Sequence, residues 1–376
     1  MTSSKHAQKK YPVFQEIFDG LPDPRRSNKG NYIYPLNELL FLTIAGVISG
    51  MDGWTAISNF GKIKLDWLRL HFPFEAGIPS HDVLGGLFAR IDPNKFNECF
   101  IEWINTLSEI TKGEVIAFDG KTIRNSDEKK TGKSALHVVS AYATTNRVCL
   151  GQYCVDQKSN EITAIPKLLD LLIIKDSIVT IDAMGCQKKI AKKIKEKEAD
   201  YLLMVKGNHK FLKQQVEATF KQQTKIQTDK NHDLGHGRIE IRTCQVTEDL
   251  SLIKNIAEWK GIKSLVKVTS ERTDKQRGKY SKEVRYYISS LTANANRFNQ
   301  IVRQHWRVEN NLHWVLDVVF KEDQSLKKKG YSALNFNMIN KVALTLIDKD
   351  ESKKSKILKR QSAALDDNYR AKLLGF

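Results

Sequence analysis

The chain has 376 residues, 41% of them hydrophobic, which is enough for globular cores and argues against intrinsic disorder. Its 61 Lys and Arg against 43 Asp and Glu leave a formal charge of +18, the balance of a protein that meets a polyanion, either nucleic acid or an acidic membrane surface. A membrane span, a secretory signal, a disulfide framework and a zinc site are not expected. No apolar run approaches ~18 residues, the start "MTSSKHAQKKYPVF" has no apolar segment, and five cysteines offer no C-x-x-C pair.

In chain order, residues 35 to 107 carry helical patterning in "LNELLFLTIAGVISGM" and "WTAISNFGKIKLDWLRL". Two shorter helices follow, with Ser80 and Asp92 as their N-caps. An all-helical N-terminal domain is therefore expected over 1–112. "EVIAFDG", "ALHVVSAYAT" and "RVCLGQYCV" then read as strands. They are followed by a helix (162–172), a strand "SIVTIDA", a helix "CQKKIAKKIKEK" and a strand "ADYLLMVKGN". Three consecutive strands and then alternating helix and strand predict an α/β fold with a mixed sheet, its first part over 113–206. Residues 207–292 are more polar and read as an insertion, with a helix (210–222) and strands "RIEIRTCQV", "SLVKVTS" and "VRYYISSL". Within it, "NHDLGHG" reads as a loop, so His232 and His236 are expected to be exposed or satisfied rather than metal-binding. Helix returns over 293–350, and 351–376 reads as a charged mobile tail.

Three carboxylates stand out. Asp119 and Asp182 each end an apolar strand, the usual ligand edge of an open α/β sheet. Asp before Gly is also a common turn, and Asp at a strand end a common N-cap. Glu309 falls in a stretch (303–323) whose apolar residues Ile301, Val308, Leu312, Val315 and Val319 trace a helical stripe. At about 100° per residue Glu309 lies at the margin of that stripe, near His305 and His313, while Asp317 and Glu322 point elsewhere. Three carboxylates of this kind can hold two divalent cations ~3.5–4 Å apart for phosphodiester chemistry. Mg²⁺ suits them, with Mn²⁺ as an alternative. Lys121, Arg124, Lys206 and Asn208 fall at the same sheet edge and are candidate phosphate contacts. Lys188, Lys189 and Lys192 follow Asp182 on a helix that is either a DNA-facing or a solvated face. Trp306 and Trp314 are expected to pack.

The runs "IAFDGKTIRNS", "HVVSAYA", "VDQKSNEITAIPKLLDLL", "IVTIDAMGCQKKIAKKI", "GHGRIEIR" and "HWRVENNLHWVLDVVFKED" resemble the ISAs-type DDE transposases of bacterial insertion sequences, also known as H-repeat-associated proteins. "FQEIFDGLPDPRRSNKGNYIYPLNELLFL" is similar to that family's N-terminal domain. The resemblance implies a ribonuclease-H-like core interrupted by a β-rich insertion, with Asp119, Asp182 and Glu309 as the DDE triad. It further implies cleavage of double-stranded DNA at element ends, then attack of the freed 3′-hydroxyl on target DNA. A homodimer or higher oligomer assembled on DNA, in the bacterial cytoplasm at the nucleoid, is expected with it. Related enzymes carry Tyr, Arg and Lys around the catalytic glutamate, where this chain has Val302, His305 and Leu316. Phosphate contacts made there by that Arg and Lys would need other donors, for which Arg303, His305, Arg307 and His313 are the candidates, and the missing residues' roles do not carry over to them. A ribonuclease-H-like nuclease without strand transfer and a decayed DNA-binding protein are the alternatives.

Overall fold

Val115 to Phe118 form a fully buried apolar run, and the strand they begin, β1 (Val115–Ile123), opens toward solvent at Asp119. In the computed structural model, which describes residues 10–26, 30–127, 134–155, 160–222, 225–235, 238–275 and 278–376, this strand is the centre of the architecture. It pairs antiparallel with β2 (Leu136–Ala143), which pairs antiparallel with β3 (Val148–Val155). On its other side it runs parallel to β4 (Ile178–Ile181), and β4 parallel to β5 (Asp200–Val205). The order β3-β2-β1-β4-β5 is ribonuclease-H-like. β4 is buried at all four positions, as a parallel strand covered on both faces must be.

Residues 207–292 extend the same sheet. β9 (Lys279–Ser289) pairs antiparallel with β5, and β8 (Ser264–Asp274), β7 (Arg238–Thr247) and β6 (Gln227–Gly235) follow outward to give nine strands. The loop expected at "NHDLG" is thus corrected to strand. His232 sits opposite Ile241, and His236 lies outside the described residues. The pattern missed it because β6 is the sheet's edge, where polar and charged residues are usual and cross-strand pairing outweighs propensity.

The N-terminal helices are α1 (Lys10–Asp19), α2 (Leu36–Ile48), α3 (Trp54–Ile63), α4 (Leu65–Arg69), α5 (His81–Phe88) and α6 (Pro93–Leu107). Ser80 and Asp92 cap α5 and α6 as expected, Asp92 accepting from Asn94 N–H at 2.8 Å. Further helices are α7 (Glu161–Leu171), α8 (Lys188–Glu196), α9 (Lys210–Lys221), α10 (Ala295–His305), α11 (Trp314–Val318) and α12 (Ser332–Asp348). α12 is buried nearly end to end and packs on both α2 and β3. Its Asn335 amide donates to Phe88 and Ile91 carbonyls at 2.9 and 3.0 Å, and its buried Lys341 donates to Ser140 Oγ at 2.8 Å. One contiguous apolar cluster therefore runs from the N-terminal helices into the sheet.

Two expectations are corrected here. Residues 351–376 are not a mobile tail but contain α13 (Lys356–Leu365) and α14 (Asp367–Leu374). Arg360 donates to the carbonyls of Val47 and Val319, and the buried Arg370 stacks 3.9 Å over Trp67, so the charges that suggested mobility are anchors. The stretch 303–323 is not one helix either. After α10, residues Glu309–His313 make a π-helical turn, α11 follows, and Lys321 adopts a left-handed φ of 53°. A π turn bonds i to i+5, so a projection at 100° per residue does not carry through it. The Glu309 side chain is 54% exposed instead of lying at the core margin.

Candidate active site

The parallel register pairs Phe118 with Ile181, so Asp119 and Asp182 stand side by side, on backbones ~4.8 Å apart. Asp182 follows the end of β4, whereas Asp119, expected to end its strand, ends only the buried run, and β1 continues to Ile123 along β2. Asp182 also caps the turn that follows it, its Oδ1 accepting from Met184 N–H at 3.0 Å. Asp119 Oδ1 accepts from Gly120 N–H at 3.0 Å, and Asp119 Oδ2 lies 3.4 Å from His313 Nδ1. The same His313 nitrogen is 3.7 Å from Glu309 Oε2. Ligand atoms of Asp119, Glu309 and His313 all lie within 4.8 Å of one another. The structure thus brings Glu309 to Asp119 by way of His313, and sets Asp182 beside this group.

Electrostatics follow from that placement. Burial above all, with the charges of Glu309 and Asp182 beside it, raises the Asp119 carboxyl to about 7 against the pull of His313 and the Gly120 N–H. Asp182 is raised by burial and by the charge of Glu161, against the Met184 N–H and Lys206. The adjacent His313 imidazole holds Glu309 below the usual carboxylate range. His313 Nε2 is buried without a hydrogen-bond partner among the described residues.

A pair that sequence reasoning did not weigh lies next to these groups. His137 on β2 meets Glu161 Oε1 through Nε2 at 2.7 Å and Thr122 Oγ1 through Nδ1 at 3.0 Å. A Cβ at Gly120 would stand 2.1 Å from that Glu161 oxygen and 2.5 Å from His137 Nε2. The segments "HVVSAYA" and "NEI" carried the signal, but as unassigned parts of longer runs.

The expected DNA contacts divide. Lys121 is corrected: its Nζ bonds Asp317 and, at 2.7 Å, the buried Glu322, so its charge is committed internally. His305 is corrected too, since it is buried against Thr180 Oγ1 at 2.9 Å and burial lowers it to about 4. Arg124 is exposed and 3.2 Å from Asp323. Lys206 and Asn208 are exposed at the end of β5, and Asn208 Nδ2 donates to Ala183 O at 2.7 Å, bracing the turn after Asp182. On α8, Lys188 pairs with Glu258, while Lys189 and Lys192 face solvent opposite the buried Ile190 and Ile194. Arg303 pairs with Asp233, and both Arg303 and Arg307 line a groove of about 340 Å³ with Arg242, Arg272 and Arg285. Trp306 packs in this groove under the Arg285 guanidinium at 4.6 Å, whereas Trp314, expected to pack, is 57% exposed.

Residues 15–104 match the DDE_Tnp_1-associated family and residues 110–346 the transposase DDE domain. The chain is 42% identical over 366 residues to the "H repeat-associated putative transposase YhhI" of Escherichia coli strain K12, covering 94% of this chain and 95% of the relative. It is 42% identical over 363 residues to the "Putative transposase YncI" of Escherichia coli O157:H7, covering 93% and 91%. A cryo-EM structure of the piggyBac transposase synaptic complex with hairpin DNA aligns with a TM-score of 0.46 at 11% identity, over 98% of this chain and 82% of that one, a likeness too distant to carry argument.

Proposed function

The chain belongs to the DDE transposases and is a DNA transposase, and from that premise we propose that Asp119, Asp182 and Glu309 are its catalytic triad. The single observation that supports this reading is the placement of Asp119, where the buried part of β1 ends, beside Asp182 at the end of β4 and within 4.8 Å of Glu309. Divalent metal use is general in this family, and the donor set fits it. Two oxygen donors and one imidazole lie within 4.8 Å, and the negative charge around Asp119 is incompletely compensated. We assign the site to Mg²⁺, or Mn²⁺, on the strength of its carboxylates. Divalent cations bound there would lower the pKa of an attacking water or hydroxyl and neutralise the leaving oxygen.

The protein's own part is positioning. The Met184 N–H fixes the Asp182 carboxylate, Gly120 N–H fixes one Asp119 oxygen, and His313 orients the other toward Glu309. Lys206, exposed beside Asp182, supplies a cation for a scissile or flanking phosphate. The reaction we infer is cleavage at the ends of an insertion element, followed by strand transfer into double-stranded target DNA. A homodimer or higher oligomer on DNA, acting in the bacterial cytoplasm at the nucleoid, is part of the same reading.

The decisive test uses end-labelled element DNA. Glu309→Gln should eliminate cleavage and leave the protein folded, because an exposed glutamine keeps its place on the π turn. Asp317→Asn should retain cleavage, since Asp317 serves Lys121. The reverse result would move the third carboxylate to Asp317. Cut ends that are never joined would reduce the enzyme to a nuclease.

Affinity for DNA should fall steeply with salt, by about −0.9 in log–log slope per neutralised phosphate. Changing Lys188, Lys189, Lys192 and Lys193 together to Gln should flatten the slope by roughly 2 units at most. Three of the four already have a carboxylate partner, Lys188 with Glu258, Lys193 with Asp170 and, more loosely at 3.7 Å, Lys192 with Glu196. An unchanged slope would make α8 a solvated face.

A further inference from the structure

We propose that Glu161 is a fourth carboxylate of the cation site, on the Asp182 side, with His137 as its positioning residue and Gly120 as the gap through which both reach β1. This rests on the triad reading above and adds to it a residue on the opposite face of the strand. Successive strand residues face opposite sides of a sheet. Asp119 faces Glu309 and His313, so Gly120 faces the side from which α7 approaches.

On that side the space of a side chain at residue 120 is already taken by two polar ends, Glu161 Oε1 and His137 Nε2. Any larger residue would push them away. Gly120 has no left-handed backbone angle that would call for glycine, so the demand at this position is for volume. His137 is held from both nitrogens, by Thr122 and by Glu161. This tether fixes one carboxylate oxygen of Glu161 at the first residue of α7, whose cap is Asn160. The Glu161 oxygen reaches the position next to Asp119, and α7 also packs on the turn after Asp182, where a Cβ at Gly185 would stand 3.0 Å from Ile165 Cδ1. The strand ends are therefore flanked by carboxylates from both faces: Glu309 from one, Glu161 from the other.

The competing account is structural. A glutamate in the first turn of a helix is favoured by the helix dipole, and a histidine partner would complete an ordinary surface pair. The two accounts differ in what a cation feels. Mn²⁺ binding to the full chain, followed by the EPR signal of free Mn²⁺, reads this without reference to turnover. Glu161→Gln keeps the size and a hydrogen bond to His137 but removes the charge. Gly120→Ala keeps every carboxylate and displaces only the far ends of two side chains, so it stays informative should Glu161→Gln fail to fold. His137→Ala releases the tether.

All three should weaken Mn²⁺ binding by roughly 10–100-fold, the cost usual for ligands and the groups that orient them. Thermal unfolding should show each still folded, and the Mg²⁺ concentration needed for cleavage should rise in parallel. If Glu161→Gln and Gly120→Ala bind Mn²⁺ like the parent while Asp119→Asn binds weakly, Glu161 is only a helix-end partner of His137 and the inference is overturned. If Asp119→Asn also binds like the parent, the triad reading itself fails and this inference falls with it.

Discussion

Asp119→Asn should abolish Mg²⁺-dependent cleavage and at the same time stabilise the metal-free protein above neutral pH. The loss of cleavage, at least about 100-fold, is what the proposed triad requires, because the substitution removes one of its charged donors. The gain in stability follows from the same burial that makes the residue useful. With the folded carboxyl raised to about 7, against ~3.9 in an unfolded chain, the protonated form is the one the fold favours. Stability from that protonation is fully present below about pH 4 and is lost as pH rises through about 7. At 1.36 kcal/mol per unit, the penalty at pH 8 is at most roughly 4 kcal/mol. The Asp119 side chain is only 19% exposed, so solvent screens it little. Asparagine is neutral and its carbonyl still accepts from Gly120 N–H, so the variant escapes the penalty. Urea unfolding in EDTA at pH 5 and pH 8 measures it: the parent should lose stability between these values and Asp119→Asn should lose much less. Parallel profiles would show that Asp119 does not carry a costly buried charge. Cleavage by the variant would remove Asp119 from the triad.

The parts legible in the sequence were those set by local rules. Apolar runs that stop at an aspartate marked β1 and β4, and parallel pairing then sets Asp119 beside Asp182 with no further information. Ser80 and Asp92 were readable as caps because capping depends on a single side chain and the next two or three N–H groups. Glu309 was readable as a position but not as a direction. The π turn at Glu309–His313 re-aims it, and no periodicity encodes where an i to i+5 bond will replace an i to i+4 bond. The His137–Glu161 contact joins residues on different elements across a position defined by a missing side chain, so neither partner announces the other. Arg360 and Arg370 read as solvated charge for a related reason. Their acceptors include the carbonyls of Val47 and Val319 and the face of Trp67, which only the tertiary fold brings to them.

Lys121→Met should destabilise the protein by about 3–5 kcal/mol, the usual cost of leaving one member of a buried ion pair without its partner. Lys121 is 14% exposed and Glu322 only 3%, so loss of the ammonium leaves the Glu322 carboxylate in the interior with Asn337 Nδ2 as its remaining donor. Asp317 is 29% exposed and can hydrate, so the penalty belongs mainly to Glu322. Replacing both charges, as Lys121→Met with Glu322→Leu, should recover much of the loss, because an apolar pair of similar volume is often as stable as a buried ion pair. Equal stability of the single variant and the parent would show that the pair is hydrated and dispensable. The same variant tests the internal commitment of Lys121. If the ammonium stays with its carboxylates, the salt slope of DNA binding should not change, whereas Lys206→Gln should reduce it by about 1 unit. A fall of about 1 unit in Lys121→Met would mean that the side chain leaves its pair for a phosphate. Cleavage should drop in the folded single variant in either case. Lys121 ties the end of β1 to Asp317 and Glu322, and these residues follow directly on the turn that holds His313 against Asp119, so loosening the tie loosens Glu309 as well.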